Sequence, residues 1–472
     1  MNNYIYNFGI EIHLEVNSNQ KAFSNTKFTF DSKPNTCINE YDIGLPGAKP
    51  IVNKDFALKA LKAAKFFNMK IASHLEFDRK HYFYTDLPKG FQITQYYKPL
   101  GTNGYMILEN NKKIKINRIH MEEDTAKQKH KDDLTLIDYN RAGNPLIEIV
   151  TDHNSFESID DVINFIDLLR KEMMHLDISD GKLEEGSMRI DANVSVRTIG
   201  QKNLNSKTEI KNINSLKNLR IALKNEIKEQ TLFLEKGKKI QQATKRFDAK
   251  TNTNILMRKK ESSKDYKYIY EPNIVPIKIS EEILNEINNI KGKTYTQKKL
   301  ELIEKYKLDV KQASEILEKK NILNTFYNTF DKINDTQKAF NLLNNEISAL
   351  EKSDKDLLID KHFESNFITL VNALSKGEIN SNQAKLFISD IYKSKIDLKS
   401  RINKNISQEK ITDKELINLI NQIIGENNKI VSEYNERPER VEKFITGQLM
   451  KLTKGKANPV LANKLIKEKL KK

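Results

Sequence analysis

Acidic and histidine residues alternate with apolar residues in several short segments of the N-terminal part of the chain. In GIEIHLEV (residues 9–16), Glu11, His13 and Glu15 fall on one face of a predicted strand, because successive side chains of a strand point to opposite sides. Three further segments, INRIHMEED, PLIEIV and MRIDANVSV, show the same alternation. Their polar faces carry Arg118, His120, Glu122, Asp124, Glu148, Arg189, Asp191, Asn193 and Ser195.

A sheet with one face in water is the ordinary explanation of such a pattern. Lysine is the default exposed residue of this chain, yet these polar faces contain none. Several such strands therefore predict a shared polar cleft. Carboxylates with imidazole suit Mg²⁺ or a similar hard cation, and Mg²⁺ with arginine commonly holds ATP phosphates during phosphoryl transfer. The chain has no GxxxxGK[ST] motif, which excludes a P-loop.

The distribution of proline and histidine along the chain predicts which secondary structure elements position these residues. The chain has 472 residues, which predicts more than one domain. Eight of its 10 prolines and seven of its 8 histidines lie at or before Pro276. The stretch 277–437 has no proline, and its apolar residues recur at helical spacing. We therefore predict an α+β fold: an antiparallel-sheet catalytic domain over residues 1–290, a helical domain over 291–404 and a basic helical tail over 405–472.

Basic residues outnumber acidic ones by 80 to 64, giving a net charge of +16. A polyanionic partner is one explanation, and a compositional bias toward lysine is the other. Residues 441–472 hold nine lysines against two glutamates, so the excess is concentrated at this end. This predicts that Lys451, Lys454 and Lys456 contact nucleic-acid phosphates, with a solvated basic face as the alternative.

The number of cysteines limits which disulfides and metal sites the chain can form, and it bears on the cellular compartment. The single cysteine, Cys37, excludes an internal disulfide and any zinc site built on several thiolates. The N-terminal segment does not read as a signal or transit peptide. No run of about 18 apolar residues occurs. We expect a cytoplasmic protein.

A series of unusual strings runs along nearly the whole chain. In the N-terminal part they are GIEIHLEV (9–16), PNT (34–36), GLPGAKPIVN (44–53), YFYTDLPKGFQITQ (82–95), RIHMEED (118–124), DYNRAGNPLIEIVTD (138–152), LEEGSMRIDANVSVR (183–197) and TEIKNINS (208–215). MRKKESSKDYKYIYEPNIVP (257–276) and GQLMKLTKGKANP (447–459) follow. With these strings in this order, the chain resembles the B-subunit family of the tRNA-dependent amidotransferases, the GatB/GatE family.

The resemblance implies a fold, an activity and partners. The family's N-terminal domain is a cradle of antiparallel sheet, distantly like glutamine synthetase, followed by helical and tail domains. The cradle uses ATP and Mg²⁺ to phosphorylate the side-chain carboxylate of misacylated Glu-tRNA(Gln) or Asp-tRNA(Asn). Ammonia from a glutaminase A subunit then displaces the phosphate, which gives Gln-tRNA(Gln) or Asn-tRNA(Asn). A small C subunit completes a heterotrimer, and the class of enzyme is an ATP-dependent carbon–nitrogen ligase.

The resemblance also implies site residues. Glu11, His13 and Glu122 or Glu123 look like the metal-binding set and count among the catalytic residues. Strand periodicity places Glu122 on the face of His120 and Glu123 on the opposite face, but a local bulge would reverse this order, so both stay candidates. The further catalytic candidates are Glu148, Glu185, Asp191, Glu209 and Lys211, and the candidates for binding nucleotide phosphates are Arg141, Arg189 and Arg258.

Some features depart from the family pattern or leave alternatives open. Ser24 and Cys37 stand in the region where many relatives hold zinc with cysteine pairs, so no zinc is expected. A non-catalytic tRNA-binding scaffold of the same fold is one alternative, against which the retained acidic and histidine residues argue. An archaeal relative with a large inserted domain is another, disfavoured because MRKKE follows the cradle closely. The sequence does not specify which misacylated tRNA is used.

Overall fold

The computed structural model describes residues 3–27, 32–259, 267–289, 293–353, 359–394, 398–402, 413–453, 457 and 459–470. The chain forms two compact units, Met1–Tyr295 and Thr296–Lys472. The first combines a large sheet with helices, and the described elements of the second are helical, so the predicted α+β class is confirmed. The predicted boundaries after residues 290 and 404 fall outside the described residues, and the three-domain division stays a prediction.

The first unit is organised around a nine-stranded sheet of order β14-β13-β12-β11-β1-β10-β7-β6-β2. Its neighbouring strands are antiparallel except for the parallel pair β12–β13. Smaller sheets have the orders β15-β4-β5, β16-β3 and β8-β9. The strands are β1 (Tyr4–Glu15), β2 (Lys70–Ile71), β3 (His74–Leu75), β4 (Asp78–His81), β5 (Phe91–Thr94), β6 (Gly101–Ile107), β7 (Lys113–Glu123), β8 (Lys127–Lys131), β9 (Leu134–Asp138), β10 (Pro145–Thr151), β11 (Met188–Thr198), β12 (Thr208–Ile213), β13 (Ala243–Asp248), β14 (Thr253–Lys259), β15 (Lys267–Tyr270) and β16 (Ile277–Lys278).

Strand β1 lies inside the sheet, because it pairs with β10 along one edge and with β11 along the other. Its even-numbered residues Phe8, Ile10, Ile12 and Leu14 are fully buried on one face. The helices of this unit are α1 (Lys54–Phe66), α2 (Ile159–His175), α3 (Leu216–Glu235) and α4 (Glu281–Asn289), of which α3 packs on β11, β12 and β14. The apolar face of β1 thus belongs to the core, which leaves the odd-numbered face for polar side chains.

Local sequence explains where the two long helices begin. Ser158 caps α2 by accepting a hydrogen bond from the Asp161 backbone N–H, and the Asp161 side chain accepts from the Ser158 backbone N–H. This reciprocal capping box satisfies backbone donors that the first helical turn leaves unpaired. Ser215 caps α3 through the Asn218 N–H. The first residue of each helix is therefore fixed by its local sequence.

The second unit contains short and medium helices. Its described helices are α5 (Tyr295–Glu304), α6 (Val310–Leu317), α7 (Lys320–Thr329), α8 (Thr336–Leu342), α9 (Ser348–Ser353), α10 (Lys361–Ser375), α11 (Ser381–Ser394), α12 (Asp413–Glu426), α13 (Asn428–Val431), α14 (Pro438–Leu452) and α15 (Pro459–Leu470). Helices α12, α14 and α15 share an apolar cluster whose buried members all lie between Leu416 and Ile466. No described helix has the length and apolar character needed to cross a membrane.

Candidate active site

The polar faces of four neighbouring strands meet on one side of the large sheet. His13 in β1 lies opposite Glu148 in β10 and opposite Arg189 in β11. Glu11 lies opposite Asp191 in β11, and Glu148 in turn lies opposite His120 in β7. Directly opposed residues of neighbouring strands project from the same face of a sheet. The structure therefore places these candidates side by side, although they come from segments far apart in the sequence.

One ligand atom each from His13, Glu122 and Glu148 lies within 4.8 Å of the others. The Nδ1 atom of His13 is 2.8 Å from Oε1 of Glu122, and Nε2 of His120 is 2.9 Å from Oε2 of Glu148. Two carboxylates and an imidazole are donors that fit a divalent cation such as Mg²⁺. Glu11 lies beside this group, where its Oε1 accepts a hydrogen bond of 3.0 Å from Asn193 Nδ2.

The charges of this group depend on one another. Burial by itself would lower the pKa of His13, but the Glu122 and Glu148 carboxylates outweigh burial and raise that pKa to about 9. Burial opposes the charged form of Glu148, yet the adjacent His120 and His13 hold its pKa below the ordinary value. Burial, together with the Glu148 and Asp191 carboxylates, raises the pKa of Glu11. The nearby carboxylates therefore favour the protonated form of His13, and a cation bound through its ring would displace that proton.

Glu122 and Glu123 point to opposite faces of β7. The backbone N–H of Ile93 donates a 2.9 Å hydrogen bond to Oε1 of Glu123, and the Lys89 ammonium lies 2.5 Å from Oε2. Glu123 is 1 % exposed, so this ion pair is buried. The pairing of β7 with β10 is regular from Arg118 to Glu123, so no bulge alters the alternation in this segment. Glu122 therefore contacts His13 on the polar face of the sheet. Glu123 forms a separate, buried ion pair with Lys89 on the opposite face.

Two cavities open on the polar face and share His13, Glu122, Asp191 and Lys211 in their lining. The larger cavity has a volume of about 570 Å³ and is also lined by Tyr82, Asp124, Arg189 and residues 183–186. The smaller cavity has a volume of about 270 Å³ and is also lined by Glu11, Tyr96, Arg118, His120, Glu148 and Arg258. Two ligands bound in these cavities would meet at the shared residues.

Lys211 is held at this shared position by two carboxylates. Its ammonium group forms a close ion pair with Asp191 and lies 3.2 Å from Oε1 of Glu209. Burial alone would lower the pKa of Lys211, but Asp191 and Glu209 raise it above its ordinary value. Thr244 donates a 2.9 Å hydrogen bond to Oε2 of Glu209, which orients this carboxylate. Lys211 is therefore a fixed positive charge between the cavities.

The three arginines expected to bind phosphates occupy different positions. Arg141 donates 2.9 Å hydrogen bonds to the carbonyl oxygens of Thr125 and Ala126. Arg189 pairs at 2.9 Å with Asp124 at the larger cavity, and Arg258 is an exposed residue of the smaller cavity.

Glu185 lines the larger cavity and pairs with Lys182, while Lys451 is exposed on α14. Lys454 and Lys456 lie outside the described residues.

Sequence reasoning missed several residues of the smaller cavity, among them Arg118, Tyr96 and Tyr268. The residue alternation places Arg118 on the correct face of β7 but indicates no role for it, and no sequence pattern singles out Tyr96 or Tyr268. The rings of Tyr96 and Tyr268 are stacked with centroids 3.9 Å apart. The alternation in RIHMEED could have drawn attention to Arg118, because it shares a face with His120 and Glu122. No signal in the sequence brings the two tyrosines together.

We predict that Glu15→Gln stabilises the protein above neutral pH. Burial, with the nearby Asp124 carboxylate, raises the pKa of Glu15 to about 7 from an ordinary value of 4.5. The folded state therefore retains a proton that the unfolded state loses, and the free energy of unfolding falls as pH rises between these values. Glutamine removes this loss, which amounts to roughly 3 kcal/mol at pH 8.

The measurement is urea unfolding of both proteins at pH 4.5 and pH 8. At pH 8 the variant should have the higher unfolding midpoint, and at pH 4.5 the difference should be small. The Nδ2 atom of Asn144 donates a 3.3 Å hydrogen bond to Oε1 of Glu15, and the glutamine side-chain oxygen can accept the same bond. A variant less stable than the wild type at pH 8 would show that Glu15 is needed as a carboxylate.

Comparison with known proteins is consistent with this architecture. Residues 6–285 match the family model described as the GatB/GatE catalytic domain, and residues 324–470 match the GatB domain. The first match covers the large sheet and its polar face. Both matches together cover most of the chain, and the chain belongs to the GatB/GatE family.

Curated relatives extend the similarity over the full length. The B subunit of the aspartyl/glutamyl-tRNA(Asn/Gln) amidotransferase from Mesoplasma florum is 38% identical over 485 residues, covering 100% of both chains. Its namesake from Mycoplasma mycoides is 40% identical, again over 100% of both chains. The namesake from Mycoplasmopsis synoviae is 41% identical over 97% of this chain and 96% of its own. The predicted family is thereby confirmed.

Proposed function

We propose that this chain is the B subunit of an aspartyl/glutamyl-tRNA(Asn/Gln) amidotransferase and that its sheet face activates the side-chain carboxylate of a misacylated tRNA with ATP. The observation that carries the proposal is the group His13, Glu122 and Glu148 at the junction of two cavities. One cavity would receive the nucleotide, and the other the aminoacyl end of the tRNA. The names of the full-length relatives support the substrate class.

The chemistry explains why ATP is required. A free carboxylate is a poor electrophile, because its negative charge repels a nucleophile and it lacks a leaving group. Transfer of the γ-phosphoryl group to a carboxylate oxygen breaks the bond to the β-phosphate, releases ADP and forms an acyl phosphate. Ammonia then attacks the acyl carbon, phosphate departs with the bonding electrons, and the amide forms after loss of a proton.

The residues of the polar face have distinct tasks in this proposal. His13, Glu122 and Glu148 would hold Mg²⁺, with Glu11 next to them. When bound, Mg²⁺ supplies positive charge that offsets the charge of the transferring phosphoryl group. Lys211, fixed between Asp191 and Glu209, supplies a second positive charge at the junction of the cavities. Glu123 contributes by holding Lys89 rather than by touching a ligand.

The proposed assembly contains two further subunits. An A subunit would release ammonia from glutamine, and a small C subunit would complete a heterotrimer that acts in the cytoplasm as part of protein synthesis. The basic residues of the tail, including Lys451, Lys454 and Lys456, would contact phosphates of the tRNA. Glu-tRNA(Gln) and Asp-tRNA(Asn) are both candidate substrates, since the relatives' names include both.

Reconstitution tests the proposal. The assembled complex should form Gln-tRNA(Gln) from Glu-tRNA(Gln), or Asn-tRNA(Asn) from Asp-tRNA(Asn), with glutamine, ATP and Mg²⁺ present. ATP hydrolysis should be stimulated by the misacylated tRNA, which a non-catalytic scaffold would not show. The purified single chain should release no ammonia from glutamine, and ammonium chloride should replace glutamine as the nitrogen donor in the complex. Robust glutaminase activity of the single chain, or amide formation without ATP, would contradict the proposal.

A further inference from the structure

The Arg118 side chain lines the smaller cavity and differs from the histidines and from Lys211 of that cavity in lacking a carboxylate partner. Among the described residues its guanidinium group makes no ion pair and no side-chain hydrogen bond, and its Nε atom is buried. By contrast, His13 pairs with Glu122, His120 pairs with Glu148, and Lys211 pairs with Asp191. Arg118 is thus a cation without an ion-pair partner among the described residues, although the cavity is rich in carboxylates.

The position of Arg118 makes this lack of a partner informative. It lies on β7 on the same face as His120 and Glu122, two residues before the first of them. Arg118 is half-buried, and its Nε atom is fully buried. Buried side-chain donors nearly always have a hydrogen-bond partner, so one without a partner calls for a specific explanation. A guanidinium group presents several N–H donors in a planar arrangement that matches phosphate oxygens. A ligand phosphate would therefore provide the acceptors that the protein does not.

The remaining lining of the smaller cavity fits a nucleotide rather than a simple anion. Arg258, exposed at this cavity, is a second guanidinium group without an ion pair among the described residues. Tyr96 and Tyr268 stack at 3.9 Å with an angle of 12° between their rings, and both line the cavity. Tyr96 is 46% exposed, so part of its ring is available to a ligand. Aromatic side chains of this kind stack on bases or pack against ribose.

We propose that Arg118 binds a phosphate group of the nucleotide in the smaller cavity, with Arg258 as a second phosphate contact and the Tyr96–Tyr268 stack beside the nucleoside. This inference rests on the proposed function, in which the chain uses ATP, and it assigns the nucleotide to one of the two cavities. The aminoacyl end of the tRNA is thereby left to the larger cavity. Arg118 becomes a binding residue that the sequence did not identify.

The test compares Arg118→Met and Arg118→Lys in the assembled complex. Binding of ADP and of a non-hydrolysable ATP analogue is measured by isothermal titration calorimetry, with Mg²⁺ present and tRNA absent. Methionine retains the apolar stem but removes the charge, so we expect affinity for both nucleotides to fall about 10- to 100-fold. Lysine keeps the charge but loses the planar donor pair, so it should restore part of the affinity. The KM for ATP in amide formation should rise in the same order.

The matched control is Arg220→Met on α3, because Arg220 pairs with Asp160 and does not line the smaller cavity. This control should bind nucleotide as the wild type does. Unchanged ADP and ATP-analogue binding by Arg118→Met would overturn the proposal, including the case in which its KM for misacylated tRNA rises instead, since Arg118 would then contact the aminoacyl group. A wild-type complex that binds neither nucleotide would overturn the proposed function itself, so the two failures are distinguishable.

Discussion

Replacing Glu122 with glutamine should reduce amide formation by about 1000-fold, whereas the same change at Glu123 should act on stability. Glu122 lies 2.8 Å from His13 within the proposed cation group, so glutamine removes a ligand charge where phosphate charge develops. Binding of tRNA should be retained, because neither residue lies in the basic tail. His13→Ala and Glu148→Gln should resemble Glu122→Gln.

The adjacent carboxylate provides the matched control. Glu123 is buried, and its carboxylate is the counter-charge of Lys89, whose side chain is 7% exposed. Glutamine leaves that ammonium group without a negative partner, which should cost about 3 kcal/mol of unfolding free energy. At a temperature where Glu123→Gln is fully folded, its kcat should stay within a few-fold of the wild type, since its carboxylate lies outside the cation group.

Single-turnover amide formation, ATP hydrolysis and urea unfolding measured on both variants decide between these roles. The expected pattern is a Glu122→Gln protein that is folded but inactive and a Glu123→Gln protein of reduced stability that is active. The reverse pattern would assign the cation site to Glu123. If Glu122→Gln, His13→Ala and Glu148→Gln all kept wild-type activity, the polar face would be only a solvated sheet surface.

Ending the chain after residue 404 should weaken tRNA binding at least about tenfold and flatten its salt dependence. The removed segment carries the cluster of nine lysines and two glutamates between residues 441 and 472. Each lost phosphate contact lowers the slope of log K against log salt concentration by about 0.7–0.9. The first unit should stay folded, because every strand of its large sheet lies upstream, and the apolar cluster of α12, α14 and α15 is removed as a whole.

Filter binding across a range of salt concentrations gives the slope, and activity at saturating tRNA tests whether the chemistry persists. Reversing the charges of Lys451, Lys454 and Lys456 together should reproduce part of the loss in the full-length chain. The same reversal at Lys217, Lys224 and Lys228, which are exposed on α3, changes net charge equally and serves as the control. Equal slopes for the truncated and complete chains would mean that the basic excess reflects composition alone.

The alternation of residue types was sufficient to place Glu122 and Glu123 on opposite faces of β7. This holds because the side-chain period of a strand is two and the pairing is regular from Arg118 to Glu123. The neighbours of His13 were not predictable in the same way. Its contacts with Glu148 and Arg189 depend on the strand order β11-β1-β10, which joins segments more than one hundred residues apart. Local sequence patterns contain no information about such pairings.

The same distinction explains the arginines. Residue type and family resemblance predict that Arg141, Arg189 and Arg258 bind phosphates, but residue type does not reveal which guanidinium groups are already paired. Arg189 in β11 is paired with Asp124, which follows the end of β7, and Arg141 donates hydrogen bonds to two carbonyl oxygens. Arg118, which lacks such a partner among the described residues, could be recognised only when the strands on either side of it were known.

The central position of β1 also bears on how the protein folds during synthesis. Its partners are β10 and β11, which end at Thr151 and Thr198. Strand β1 can therefore form its pairings only after most of the cradle has left the ribosome. Contacts of such long sequence separation make folding slow, since a large loop must close, at a cost in conformational entropy, before the strands can pair. Until then the apolar side of β1, from Phe8 to Leu14, remains uncovered on the nascent chain. We expect chaperones that bind exposed apolar segments to associate with ribosome-bound chains of this protein until about residue 200 has emerged.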